Sequence, residues 1–261
     1  MSGRLVVCPT PIGNLEDVTL RVLAALRDAD VVACEDTRRT RVLLDRYSVQ
    51  ASMVSYHEHN EAARSIELVR RMGEGEVVAL VSDAGMPLVS DPGYVLVQAC
   101  VAAGLEVEVL PGPSAVMAAL VASALPSDVW RFVGFLPRKP SALAAVLSSP
   151  ETIVAFESPN RVRATLGALD PERPVAVCRE LTKLHEEVIR GPAAEVAERF
   201  VARGEVVLVI AGTPAAEADH EAAVAAVRRL VESGAKPRVA AGVVGELMGI
   251  QANALYKEVS T

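Results

Sequence analysis

Short apolar runs alternate along the chain with segments whose apolar residues recur at helical spacing. "RLVVC" (4–8), "DVVAC" (30–34), "MVSY" (53–56), "EVVALV" (76–81) and "EVEVL" (106–110) predict strands of a mostly parallel sheet. Between them "TLRVLAALRDA" and "NEAARSIELVRRMG" predict helices, the second closing on Gly73 as its C-terminal cap. A second set follows in "RFVGFL" (131–136), "TIVAFE" (152–157), "PVAVCRE" (174–180) and "EVVLVIAG" (205–212), the last after the helical "AAEVAERFVARG". The turn "PGPSA" (111–115) separates the sets. After "GTP" (212–214), "AAEADHEAAVAAVRRLVESG" and "RVAAGVVGELMGIQANALYKEV" are helical, and the turn at Gly249-Ile250 suggests a helix-turn-helix. The expectation is an α/β fold of two α/β domains, 1–112 and 113–214, with a small all-helical extension at 215–261.

Composition narrows the class. Of 261 residues, 51% are hydrophobic but only 3% aromatic, so Val, Leu and Ala must build the core. No apolar run reaches the roughly 18 residues that would suggest a membrane span. The start runs straight into a strand, without a signal-peptide layout. Cys8, Cys34, Cys100 and Cys178 are scattered and form no CxxC pair, which predicts reduced thiols, no structural zinc and a cytoplasmic protein. A net charge of −7 argues against a nucleic-acid coat, yet the cations are clumped in "TRRTR" (37–41), Arg70-Arg71, Arg138-Lys139 and "NRVR" (160–163). Such clumps are solvated helix faces or local docking points for an acidic substrate.

Ligands of open parallel sheets bind at the carboxyl ends of the strands. Here those ends carry "PTPIGNLED", "EDTRRT", "HEHNE", "SDAGMPLVSDPG" and "PGPSA". The GxxxxGK[ST], GxGxxG and GxSxG patterns are missing, which argues against a P-loop ATPase, an ordinary dinucleotide site and a nucleophile elbow. Gly13 permits close backbone approach to a ligand, or simply a tight turn. His57 and His59 invite a metal reading, with Glu58, Glu61 or Asp36 as further ligands, but their spacing demands none, and a polar loop entering a helix at Asn60 is the simpler reading. In the second Ser-Asp pair, Asp91 and Pro92 read as the N-cap and first residue of a helix running to Gly104.

In order, "TPIGNLED", "EDTRRT", "HEHNE", "SDAGMPLVSDPG", "LPGPSA", "GFLPRK", "FESPNR" and "RELTK" resemble the ribosomal RNA small subunit methyltransferase I family, of the tetrapyrrole-methylase superfamily, over residues 4–213. Two departures are Met86, where that family usually has Thr, and "FESPNR" in place of "YESPHR". The resemblance implies transfer of a methyl group from S-adenosylmethionine to the ribose 2′-hydroxyl of a cytidine in the decoding region of 16S rRNA, by a homodimer. Free RNA and the assembled small ribosomal subunit are both open as the partner, and the acidic net charge favours the assembled subunit. The resemblance places the cofactor between the two α/β domains, against Pro11, Ile12, Gly13, Asp83, Gly85, Met86, Val89, Ser114, Ala115, Phe156, Glu157, Leu181, Ala211 and Gly212. Asp83 is its polar anchor, and the second Ser-Asp pair serves mainly to aim the helix. A base for the hydroxyl could come from Glu35, Asp36, His57, Glu58, Glu157, Glu180 or Lys183, with Asp36 and Glu180 preferred and Lys183 beside them. Equally, Asp36 could cap the "TRRTR" helix while Glu180 and Lys183 form an i, i+3 pair. Arg38, Arg39, His57, His59, Arg161 and Arg179 are the candidates for contacting RNA. Methylation of a tetrapyrrole carbon is the alternative enzyme reading, but "TPIGNLED" stands where those enzymes typically show GxGPGD. A binding module without catalysis would need a broken cofactor loop, and the loops here look intact.

Overall fold

The computed structural model describes residues 3–213 and 220–259, and these fall into two compact units divided after Gly212. The first unit holds two sheets. β1 (Arg4–Val7), β2 (Val31–Cys34), β3 (Met53–Ser55), β4 (Val77–Val81) and β5 (Glu106–Val109) are all parallel, in the order β3-β2-β4-β1-β5. Their period-2 alternation splits the core in two. Val6, Cys8, Val32, Cys34, Ala79 and Val81 pack with residues of α1 (Leu20–Asp28) and α2 (Thr37–Arg46). Leu5, Val7, Val31, Ala33, Val78 and Leu80 pack with residues of α3 (Glu61–Gly73) and α4 (Tyr94–Ala102) on the other face.

The second sheet is mixed. β6 (Trp130–Phe135) runs parallel to β7 (Thr152–Glu157), and antiparallel pairs then join β7, β10 (Val206–Ile210), β8 (Pro174–Arg179) and β9 (Glu187–Pro192). The hydrophobic pattern missed β9, because "EVIRGP" starts on a charge, carries Arg190, ends on Gly-Pro and buries only Ile189 well. One face packs with residues of α6 (Pro140–Leu147), α7 (Val162–Leu166) and α8 (Ala193–Arg199), the other with α5 (Ala115–Ser123).

Two caps also differ from expectation. α3 carries its helical conformation through Gly73, and the left-handed residue that follows is Gly75, with φ of 104°. Asp91 is not an N-cap: α4 opens after Gly93 and has no side-chain cap bond. Gly93 itself, with φ of 139°, sits so close to Leu88 and Leu80 that a Cβ would lie 2.7 and 3.0 Å from their methyl groups.

The second unit is helical: α9 (His220–Glu232), α10 (Pro237–Met248) and α11 (Ala252–Val259) bury Val227, Ala240, Ala241, Val244 and Leu255 among themselves. Gly249 ends α10 in a left-handed cap, and Cβ-less Gly245 packs against Ile250 and Ala252 at the turn. The start of the predicted tail, 215–219, lies outside the described residues. No described helix is long and apolar enough to cross a membrane.

Gly212 ends the first unit against the Pro150 carbonyl oxygen, which a Cβ would approach to 1.9 Å. Gly212→Ala is therefore expected to lower the melting temperature clearly while leaving cofactor affinity unchanged. Differential scanning calorimetry with ligand titration reads both, and a loss of affinity without loss of stability would show that Gly212 serves the ligand instead.

Candidate functional site

The loops at the carboxyl ends of the parallel strands are sewn together before they reach any ligand. Thr10 and Gly85 exchange backbone hydrogen bonds of 2.8 and 2.9 Å, tying the loop after β1 to the loop after β4. The Thr10 hydroxyl donates to the Ser82 carbonyl at 3.0 Å, and the Ser82 hydroxyl donates to the Gly85 carbonyl at 3.2 Å. Gly85 lies at φ of 80°, where a side chain is strained.

Beneath these loops, facing the second sheet, opens a cavity of about 470 Å³. Ile12, Asp83, Gly85, Met86, Val89, Ser114, Ala115, Phe156, Glu157 and Leu181, all expected from sequence, line it together. Pro11 and Gly13 do not. Gly13 is needed for a different close approach: a Cβ there would lie 2.5 Å from the Lys183 side chain and 2.9 Å from the Leu181 carbonyl oxygen. Its neighbour Asn14 donates its backbone N–H to the Thr182 hydroxyl at 3.1 Å, so this turn clasps the loop after β8. Ala211 and Gly212 follow the end of β10 opposite to Glu205, Val206 and Val207, which do line the cavity. The Ala211 carbonyl accepts from Arg173.

The acids expected to serve as a base divide sharply by environment. Asp36 caps α2, accepting from the Arg38 N–H at 2.8 Å and from its guanidinium at 2.8 and 3.1 Å. Those bonds hold its carboxyl down at about 2. Glu180 accepts from the Glu205 N–H at 2.8 Å and from Lys183 at 3.0 Å, and both bonds lower its pKa. Lys183 also reaches Glu205 at 2.9 Å. Neither Asp36, Glu180 nor Lys183 lines the cavity; capping and i, i+3 pairing describe them. Glu157, buried in the cavity wall, accepts from the Ser158 N–H and the Thr165 hydroxyl, both at 2.8 Å, with Arg161 at 3.2 Å.

Four other carboxylates share the cavity: Glu205, held by Lys183, and Glu35, Asp83 and Asp91. Asp83 accepts the Asp36 N–H at 3.0 Å and faces Arg39 at 3.5 Å. Asp91 is pushed up to about 6 by burial, then by the Glu35 charge, against the lowering effect of the nearby Ser82 hydroxyl. Burial and Asp83 also raise Glu35, against Arg39. Sequence reasoning took Asp91 for a helix cap, yet both Asp residues of the repeated Ser-Asp line one cavity. It also missed Phe135, an exposed aromatic on the cavity wall whose ring lies 5.4 Å from that of Phe156.

Of the expected RNA contacts, Arg38, Arg39 and His59 are exposed. His57 is half-buried, its Nδ1 buried without a hydrogen-bond partner. Arg161 donates to the carbonyls of Leu136 and Pro137 as well as pairing with Glu157. Arg179 is buried and bonds Glu187 at 2.8 Å, so its guanidinium is engaged within the protein rather than presented at the surface. Among the described residues no group of three or more His, Cys, Asp or Glu side chains is arranged to hold a metal.

Residues 4–197 match the family model for tetrapyrrole (corrin/porphyrin) methylases. The chain is 46% identical to the ribosomal RNA small subunit methyltransferase I of Micromonospora olivasterospora, over 99% of this chain and 87% of that one. It is 40% identical to the protein of the same name from Escherichia coli O157:H7, over 98% and 94%. A crystal structure of uroporphyrin-III C-methyltransferase from Thermus thermophilus, complexed with S-adenosylhomocysteine, superposes with a TM-score of 0.56 at 21% identity, over 80% of this chain and 97% of that one. The last comparison speaks to the fold; the first three make the chain a member of the tetrapyrrole methylases and, among them, of the ribosomal RNA small subunit methyltransferase I family.

Proposed function

We propose that the protein binds S-adenosylmethionine in the cavity and methylates the ribose 2′-hydroxyl of a cytidine in the decoding region of 16S rRNA. The observation that carries this reading is the cavity's lining. Its size falls in the roughly 300–1,000 Å³ range of small-molecule pockets. Ile12, Met86, Val89, Ala115, Leu181 and Val207 supply apolar wall for an adenosine, and Glu35, Asp83 and Asp91 supply negative charge for a cationic ligand. The donor set therefore fits a molecule that carries both a sulfonium and an ammonium group. When bound, S-adenosylmethionine supplies an electrophilic methyl group on a positively charged sulfur.

The residues of the chain then have distinct tasks. Asp83, fixed by the Asp36 N–H, is the anchor for a donor hydroxyl or ammonium group. Gly85 keeps the strand end open, and the Thr10–Gly85 bridge holds the floor rigid, which favours in-line alignment of the acceptor oxygen. Phe135 offers a face on which a base can stack. Arg38 and Arg39 form the exposed cationic side that faces phosphates, with exposed His59 as a further polar contact, an arrangement in keeping with local rather than global attraction for RNA in a chain of net charge −7. Relatives at 40–46% identity favour the rRNA reading over methylation of a tetrapyrrole carbon.

The substrate we favour is the assembled small subunit, in which shape complementarity outweighs the repulsion between two anionic partners, and the compartment is the cytoplasm. We further propose a homodimer. α5 is apolar all round, burying Val116, Ala119 and Leu120 while leaving Met117 49% and Val121 79% exposed. We keep the division of the first unit into two α/β domains as a proposal, which its two separate sheets support.

Small subunits lacking the modification, incubated with protein and labelled S-adenosylmethionine, should gain one 2′-O-methylcytidine by mass spectrometry of nuclease digests. Label on a base, or none on either subunits or free 16S rRNA, would refute the substrate. In that assay Arg38→Ala should raise KM for subunits several-fold without changing KM for S-adenosylmethionine; an unchanged subunit KM would remove Arg38 from the RNA face. Light scattering should give twice the chain mass, and Val121→Asp should halve it. A wild-type monomer would dismiss the dimer.

A further inference from the structure

Five carboxylates line the cavity: Glu35, Asp83, Asp91, Glu157 and Glu205. Three are engaged elsewhere. Asp83 is fixed by the Asp36 N–H and Arg39. Glu157 is fixed by Ser158, Thr165 and Arg161, and Glu205 by Lys183. Glu35 and Asp91 form no ion pair among the described residues. The segment that presents Asp91 is held against local preference, with Leu88 at φ of 72° and Ser90 at φ of 68°, both in the left-handed region that non-glycine residues avoid.

We infer that Asp91, with Glu35 beside it, is the proton acceptor for the hydroxyl that receives the methyl group. The inference rests on the methyl-transfer reading above and assigns its missing base. As the acceptor oxygen bonds to the methyl carbon, the proton of its O–H passes to an Asp91 carboxylate oxygen. The methyl carbon's former bonding pair stays with sulfur, so a neutral thioether leaves and the charges balance: one cation and one carboxylate become two neutral species.

The surroundings suit the task. Burial, then the Glu35 charge and Asp83, against the nearby Ser82 hydroxyl, place Asp91 at about 6. Glu35 in turn faces Asp83 and Glu58, which raise it, and Arg39 and His57, which lower it. A base that titrates near the working pH takes a proton most effectively, whereas Asp36, held at about 2, is too weak. The same shift has a consequence for stability. The folded state favours the protonated form, so Asp91 contributes stability below its ordinary 3.8, and this is lost as pH rises through about 6.

The test uses full-length wild type, Asp91→Asn and Asp91→Glu on unmodified small subunits from pH 5 to 9, with S-adenosylhomocysteine binding by calorimetry. Wild-type kcat should rise along an acid limb with a midpoint at or below about 6. Asp91→Asn should lose about 100-fold or more in kcat together with that limb, as expected for removal of a general base. Its product affinity should stay within about threefold, far less than a tenfold step of 1.4 kcal/mol. Asp91→Glu should restore the limb. Independently of activity, the melting temperature of Asp91→Asn should gain on wild type as pH rises from 4 to 7. An Asp91→Asn enzyme that keeps its kcat and acid limb, or loses product affinity in proportion to rate, would overturn the inference while leaving the methyl-transfer reading in place. A wild type that transfers nothing would instead overturn that reading, and the inference with it.

Discussion

Carboxylates gathered in one partly buried cavity repel one another and resist desolvation, and the first unit is arranged around containing that cost. Asp83 accepts a backbone N–H and lies 3.5 Å from a guanidinium. Glu157 is surrounded by donors from its own loop. Burial first, and then the charge of Glu35 on Asp91 and of Asp83 on Glu35, push both carboxyls up. A positive charge placed between them offsets that cost. The loops around the carboxylates must therefore be stiff enough to hold them together before any ligand arrives.

That stiffness comes from contacts between loops more than from the helices behind them. The Thr10–Gly85 bridge and the two hydroxyl bonds at Ser82 fix the floor within the parallel sheet. The Gly13 turn, pressed against Lys183 and bonded to Thr182, ties that floor to the second sheet. Lys183 then braces Glu180 and Glu205, and Glu205 lies on the cavity's other wall. Residues that looked chemical, Glu180 and Lys183, thus belong to the frame that sets the distance between the two walls.

Most of the strands and helices were legible because both sheets bury alternating apolar positions and the helices keep a 3.6-residue period. β9 escaped because an edge strand with one buried residue leaves almost no pattern. The carboxyl-end loops share one side of the parallel sheet, and ten of the residues expected there line one cavity. Roles were harder to read. A conformationally special glycine looks the same in sequence whether it admits a ligand, as Gly85 can, or another loop, as Gly13 does. Asp91-Pro92 has the local signature of a helix start, yet left-handed residues at Leu88, Ser90 and Gly93 displace the helix and leave Asp91 facing the cavity. Pairing of Arg179 with Glu187 depends on β9, and so was hidden with it.

The central claim is that one cavity, walled by both sheets, receives a sulfonium donor against Asp83 with Glu35 and Asp91 beside its reactive end. A crystal structure of the full chain with S-adenosylhomocysteine tests it most directly. The account predicts the nucleoside against Ile12, Ala115 and Leu181, an amino or hydroxyl group within hydrogen-bonding distance of Asp83, and the sulfur facing Glu35 and Asp91. Density for the ligand elsewhere, or a sulfur turned away from both carboxylates, would contradict it.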